Sequence, residues 1–372
     1  MKIMKEPKRR AGYLGSVAFV VVFVAGISAQ SPVPSPEKPE AAGVTTDMLD
    51  AMKSLPGEIG ALPAVGVPAE NPQTPAKIAL GTRLFFDARL SGDHRSSCAS
   101  CHIPEKAYGD GLRQAMGFGG VTLKRNSPTI LNAAYNTAQF WDGRAKTLEE
   151  QCSGPIMASA EMNMKDEQSL AERLRSVPGY REEFQTVFGA PPTLTYVTQA
   201  IAAFERTLIT PGSRFDDYAR GRKDALNEQE KRGLLLFIGK AACTQCHKGT
   251  NFTDNKFHNL GEAAAGQYPE DLGRYRVSKK TEDRGAFKTP SLRNVTLTGP
   301  YMHDGSLATL EEVVDLYDRG AGTGAGKSSL LHKLNLTTRE KADLVGFMKT
   351  LTGTMPQVAK PRQYADAVAQ RN

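Results

Sequence analysis

The chain holds few of the residues that usually mark a metal or redox site. Among its 372 residues are five cysteines, six histidines and one tryptophan. Four of the five cysteines fall into two close pairs, which leaves no set from which a disulfide framework could be built. Long apolar runs are missing. The one mostly apolar run of note, Tyr13 to Gly26, falls short of the roughly 20 residues that cross a bilayer. No run of alternating apolar and polar residues appears, which argues against a sandwich or barrel of strands. Excess charge of one sign is slight. The net charge of +7 falls to +3 without residues 1–29, which carry net +4. Nucleic-acid binding is therefore not expected.

What is present begins with the leader. Met1 to Arg10 carries Lys2, Lys5, Lys8, Arg9 and Arg10; the apolar run follows, then Ile27-Ser28-Ala29. Charged, apolar and small segments in that order read as an export signal over 1–29, removed rather than retained as an anchor. Export to the periplasm is the expectation. Residues 30–76 hold nine of the 22 prolines and little periodicity, a Pro-rich lead-in of tail and irregular wrap. The rest is long enough for two domains, set here at 77–210 and 211–372.

The paired cysteines carry the chemistry. They stand in Cys98-Ala99-Ser100-Cys101-His102 and Cys243-Thr244-Gln245-Cys246-His247. Two thiols one turn apart can add to the two vinyl groups of a haem, and the adjacent imidazole then reaches the iron as proximal ligand. A zinc ribbon would place its second pair about 15–20 residues on. Here the pairs are 145 apart. A redox dithiol does not explain a histidine after both. Two covalent haems c are expected, on Cys98 and Cys101 and on Cys243 and Cys246, with His102 and His247 as axial ligands. Cys152 is left over and reads as a buried, inert thiol.

The chain also repeats itself. Gly81 to Phe85 precedes the first motif as Gly233 to Phe237 precedes the second. Downstream, Pro128–Glu150 aligns without gaps to Pro290–Glu312 at an offset of 162, with eight of 23 positions identical. The haem motifs are offset by 145, so the second copy has 17 extra residues within 248–289. Capping boxes open helices at Thr147/Glu150, Asn227/Glu230, Thr309/Glu312 and Thr337/Glu340. Tyr196 to Leu208 has helical spacing. The fold class is all-α: two cytochrome c-like haem domains related by internal duplication.

The offset distinguishes the two haems. After Thr309, Leu310, Val313, Val314 and Tyr317 share one helical face, so Tyr317 points inward, as a core residue or an iron ligand. Its counterpart is Pro155, which with Gly154 is expected to cut its helix short and offers iron no donor. One haem then has a sixth ligand, suited to electron transfer, and the other an open face that can bind peroxide. His258, His303, Met302 and the Met157/Met162/Met164 group remain alternative ligands. His94 lies too close to the first motif, and His332 sits on a late polar stretch. Trp141, counterpart of His303, is a core aromatic or an electron relay between haems. Glu161 is a solvated carboxylate or an acid/base beside the open haem.

Several stretches resemble the bacterial dihaem cytochrome c peroxidase family, which includes MauG: Leu80–Ser91, Asn132–Arg144, Phe257–Gly261 and Leu292–Gly305. The resemblance implies a peroxidatic haem on Cys98 and Cys101 and an electron-entry haem on Cys243 and Cys246. It implies Trp141 between the haems and Glu161 as distal-pocket carboxylate. It also implies a calcium ion held by the Asn126 side chain and the carbonyls of Thr298 and Pro300. Two positions depart from the typical peroxidase. Phe118 stands eight residues before Asn126, where a displaceable histidine is usual, and Tyr317 stands 14 after His303, where methionine is usual. Both departures resemble MauG, and imply an open first haem and Tyr317 as second-haem ligand. Ala241 stands where MauG has a surface tryptophan.

The reading is thus a periplasmic dihaem peroxidase that reduces H2O2 with electrons from a small protein such as cytochrome c or a cupredoxin. The alternatives are a MauG-like oxidase acting on a protein substrate, and a plain electron-transfer cytochrome. A homodimer is left open.

Overall fold

The computed structural model describes Met52 and residues 58–261 and 271–361. The expected leader over 1–29 lies outside the described residues.

Helices start where the sequence supplies an oxygen to cap them. α1 (Pro75–Phe85) opens at Thr74, whose hydroxyl accepts from Lys77 N–H, with Pro75 in the first turn where its missing donor costs little. α2 (Leu148–Met157), α3 (Glu167–Arg175), α4 (Tyr180–Phe188) and α5 (Leu194–Glu205) follow. Then come α6 (Arg214–Ala219), α7 (Glu228–Ile238), α8 (Leu310–Asp318) and α9 (Thr338–Lys349). The expected capping boxes form in full on α7, α8 and α9. On α2 only half forms: Thr147 accepts from Glu150 N–H, but the Glu150 carboxylate takes Lys146 N–H at 2.7 Å, one residue early.

Two expectations need correction. Gly154-Pro155 does not cut α2 short, because the helix runs on to Met157 with Pro155 inside it. Pro155 falls in the last turn, so the bond its own nitrogen would have made is the main loss. Nor is the fold purely helical. β1 (Phe257–Asn259) pairs antiparallel with β2 (Ala286–Lys288), Phe257 opposite Lys288 and Asn259 opposite Ala286. Strands of three residues are too short for alternation to register in sequence. The architecture is helix-rich with one small two-stranded sheet.

Apolar side chains gather in two clusters. One includes Leu84, Phe85, Ile156, Ala200 and Phe204; the other includes Phe215, Phe237, Phe252, Val314 and Phe347. Their central crossings are alike. α1 meets α5 at Gly81, where an added Cβ would lie 1.8 Å from Ala200 O; α7 meets α9 at Gly233, where it would lie 2.0 Å from Asp343 O. Only glycine lets these backbones come so close. Four residues on, Phe85 packs on Phe204 at 5.0 Å and Phe237 on Phe347 at 5.1 Å between ring centroids. Each such pair contributes about 1 kcal/mol beyond the area it buries.

The irregular wrap joins the clusters. Met52 and Ile59 of the wrap sit in the second, while Met355 and Val358, from the stretch after α9, pack on the first. Gly60 O accepts from Arg293 Nη2 at 2.8 Å and Pro63 O from Tyr135 at 2.7 Å. All described residues lie in one compact unit, Val44–Asn372. Among them no helix is long and apolar enough to cross a membrane.

Candidate active site

Both Cys-x-x-Cys-His turns open on one cavity of about 1000 Å³. The first is a helical turn, Cys98–Cys101, capped reciprocally by Ser97 and Ser100; the second is a 3-10 turn, Cys243–Gln245. His102 N–H returns to Cys98 O at 3.0 Å and His247 N–H to Cys243 O at 2.8 Å, so each imidazole leaves directly from its turn. His102 Nδ1 lies 3.1 Å from Tyr108 O, and His247 Nδ1 3.0 Å from Phe252 O. A carbonyl at Nδ1 makes that nitrogen the donor and leaves the Nε2 lone pair for a metal. Burial lowers both imidazole pKa values, His247 to about 4, so the rings are neutral.

All five cysteines are unpaired. Burial pushes Cys101 up to about 11 and Cys243 to about 12. A reactive redox thiol has the opposite shift. Unbonded thiols, neutral outward imidazoles and one shared cavity fit two covalently attached haems.

The walls of the cavity differ between the halves. On the first side it is lined by Pro155, Glu161 and Met162. The turn carrying Glu161 is held by Glu161 N–H to Ala158 O at 3.0 Å and Gly92 N–H to Met162 O at 2.7 Å. Burial raises the Glu161 pKa, and Arg144 opposes the rise. On the second side α8 presents Leu310, Val313 and Tyr317, as its helical phase predicts. Phe118 is not on the lining; its N–H binds Ala160 O at 3.0 Å, beside the Glu161 turn.

Trp141 stands where the halves interlock. Its Nε1–H donates to Asn126 O at 3.0 Å, and its own carbonyl accepts from Lys288 N–H at 2.8 Å. Asn126 N–H in turn donates to His303 O at 2.8 Å. Arg125 binds Asp271 at 2.7 and 2.8 Å and Asp142 at 2.8 Å. Arg274 donates to the carbonyls of Asp142 at 3.0 Å and Gly143 at 2.8 Å. Burial opposes ionisation of Asp271, but Arg125 outweighs it and holds the carboxyl at about 2. Asp271 and Arg274, from the stretch between the second haem turn and β2, thus pin the Trp141 loop.

This arrangement agrees with the relatives of the chain. Residues 75–224 match CCP_MauG, the di-haem cytochrome c peroxidase family. Over 299 residues the chain is 44% identical to methylamine utilization protein MauG of Methylorubrum extorquens, covering 79% of this chain and 83% of that protein. The chain belongs to the di-haem cytochrome c peroxidase family. It is also 42% identical over 326 residues to cytochrome-c peroxidase IdrP1 of a Pseudomonas species, covering 79% and 86%. Among solved structures, a MauG-like protein associated with microbial copper homeostasis superposes with a TM-score of 0.73 at 36% identity, over 79% of this chain and 94% of that one. Membership implies two haems c and an oxidoreductase acting on peroxide.

For a member of this family, the remaining residues sort clearly. Asn126 is buried and donates Nδ2–H to Leu112 O at 2.8 Å, which leaves its Oδ1 as an acceptor. Asn126, Thr298 and Pro300 line the same cavity. His258 Nε2 is engaged by Asp254 at 2.9 Å, and that hydrogen bond raises the ring's pKa. Cys246, Asp254 and His258 are the one group of potential metal-binding side chains among the described residues. Cys246 belongs to the haem turn, so no separate metal site follows. His303 is stacked on Phe287, centroids 3.7 Å apart. His332 lines the cavity despite its polar surroundings in sequence. Cys152 is buried, and burial raises its pKa.

Three residues at the site escape sequence reading: Arg125, Lys288 and Glu205. Glu205 ends α5 on the cavity wall, where burial pushes its carboxyl to about 8. Arg125 and Lys288 stand just before the aligned blocks that begin at Pro128 and Pro290, outside the aligned part of the repeat.

Proposed function

We propose that this protein is a periplasmic peroxidase whose two haem sites have different roles, one for peroxide and one for electron entry. The observation that carries the reading is the asymmetry of one cavity, with Pro155 and Glu161 on one wall and Tyr317 on the other. When bound, the haems supply the redox chemistry by which H2O2 is reduced to water. The chain supplies everything else. Cys98, Cys101 and His102 hold the first haem; Cys243, Cys246, His247 and Tyr317 hold the second. Pro155 offers the first haem no ligand at the position that corresponds to Tyr317 at the second. Glu161 takes a proton from peroxide and returns it to the departing oxygen; a pKa raised toward the working pH suits that exchange. Trp141, clamped by backbone bonds from both halves, is the relay between them. Electrons come from a small redox protein such as cytochrome c or a cupredoxin. Asn126 Oδ1 with the Thr298 and Pro300 carbonyls holds Ca²⁺, an all-oxygen set that suits that ion.

Two haem domains, 77–210 and 211–372, made by duplication, account for the paired apolar clusters and for the matching glycine crossings at Gly81 and Gly233. Stopped-flow mixing of the as-isolated diferric protein with H2O2 tests the open site. A rapid spectral change at the first haem is expected. A protein that needs prior reduction before it responds would refute the reading.

A second reading, MauG-like oxidation of a partner protein, is favoured by Tyr317 on the cavity and Phe118 off it. Brisk steady-state oxidation of ferrocytochrome c supports the peroxidase; slow turnover supports the oxidase.

A further inference from the structure

Lys288 is a cation sealed into the cavity wall without a counterion. It closes β2, lines the cavity and is 9% exposed. Its Nζ makes one long hydrogen bond, to Thr289 O at 3.3 Å, and no ion pair among the described residues. Asp254, whose charge acts on it, is already engaged by His258 at 2.9 Å. A buried ammonium left in this state is costly unless an anion completes it.

Its place in the repeat gives the anion an address. At the 162-residue offset Trp141 is the counterpart of His303, and Asn126 and Lys288 each stand two residues before the aligned Pro128 and Pro290. The four residues make reciprocal bonds across the halves: Asn126 N–H to His303 O, and Lys288 N–H to Trp141 O, both at 2.8 Å. Matching positions thus bring a neutral amide to the cavity from one half and a fixed positive charge from the other. Lys288 also stands behind the second haem turn. Thr289 O accepts from Thr253 Oγ1 at 2.6 Å, next to Phe252, whose carbonyl orients His247.

We propose that Lys288 binds a propionate carboxylate of the second haem and, by its charge, raises that haem's reduction potential. The inference rests on the two-haem reading above. The sign follows from electrostatics: a nearby cation disfavours the ferric state, which carries one more positive charge than the ferrous, so removing the cation lowers the potential. Burial lowers the Lys288 pKa to about 8, which leaves the ammonium form in the majority at neutral pH.

The test is spectroelectrochemical titration at pH 7 of the holoprotein, Lys288→Gln and Lys288→Arg, each first assayed for two haems per chain. The low-spin haem of Lys288→Gln should shift at least tenfold toward the oxidised form at fixed potential, about 59 mV. Lys288→Arg should stay near wild type, and the high-spin haem should move less. An unchanged low-spin potential in a fully loaded Lys288→Gln overturns the proposal, as does an arginine variant that falls as far as the glutamine one. Fewer than two haems in the wild-type protein would sink the two-haem reading itself, a separate failure.

Discussion

At the scale of single residues, the two haem turns are nearly interchangeable, and their neighbours make the difference. Both histidines give Nδ1 to a carbonyl and are neutral. In the proposed reading the proton chemistry falls to Glu161, which lines the cavity. Its pKa is raised by burial, so the carboxylate that accepts a proton is lost as pH falls through a value above the usual carboxylate range. The second-order rate constant for peroxide should therefore drop on the acid side with that pKa. Glu161→Gln should lower it by about 10²–10⁴-fold and abolish that limb, with haem spectra intact. A pH–rate profile of the variant that kept the limb would move the assignment elsewhere. The two haem turns were legible from sequence because each motif is complete within five positions. Lys288 and Arg125 were not, because their roles arise from chain segments far apart: Arg125 and Asp271 are separated by 146 residues.

At the scale of elements, the halves are built on one device, two helices crossing through a glycine. The Cβ positions at Gly81 and Gly233 fall on backbone oxygens, which cannot retreat as a side chain could. Gly81→Ala and Gly233→Ala should each cost about 3 kcal/mol. Gly66→Ala, where nothing lies within 4 Å, should be close to neutral. Denaturant midpoints of the three variants check this, and equal midpoints would show that the crossings are not tight. Helix starts were readable in sequence because caps are local. The end of α2 was misread, because a proline in a last turn breaks less than one in mid-helix. The sheet was missed because its strands are three residues each.

At the scale of the whole molecule, Asp271 and Arg274 clamp a loop more than 120 residues away in sequence. They reach Arg125, Asp142 and Gly143, and so hold the loop that carries Trp141 on the cavity wall. The repeat offset predicted an asymmetric pair of haems, and the cavity puts Pro155 and Tyr317 on its wall. That asymmetry is the central claim, and the EPR spectrum of the resting diferric protein tests it most directly. One high-spin and one low-spin ferric signal of equal weight is the predicted result. Two low-spin signals would mean that both irons are six-coordinate at rest, and would contradict the open first site.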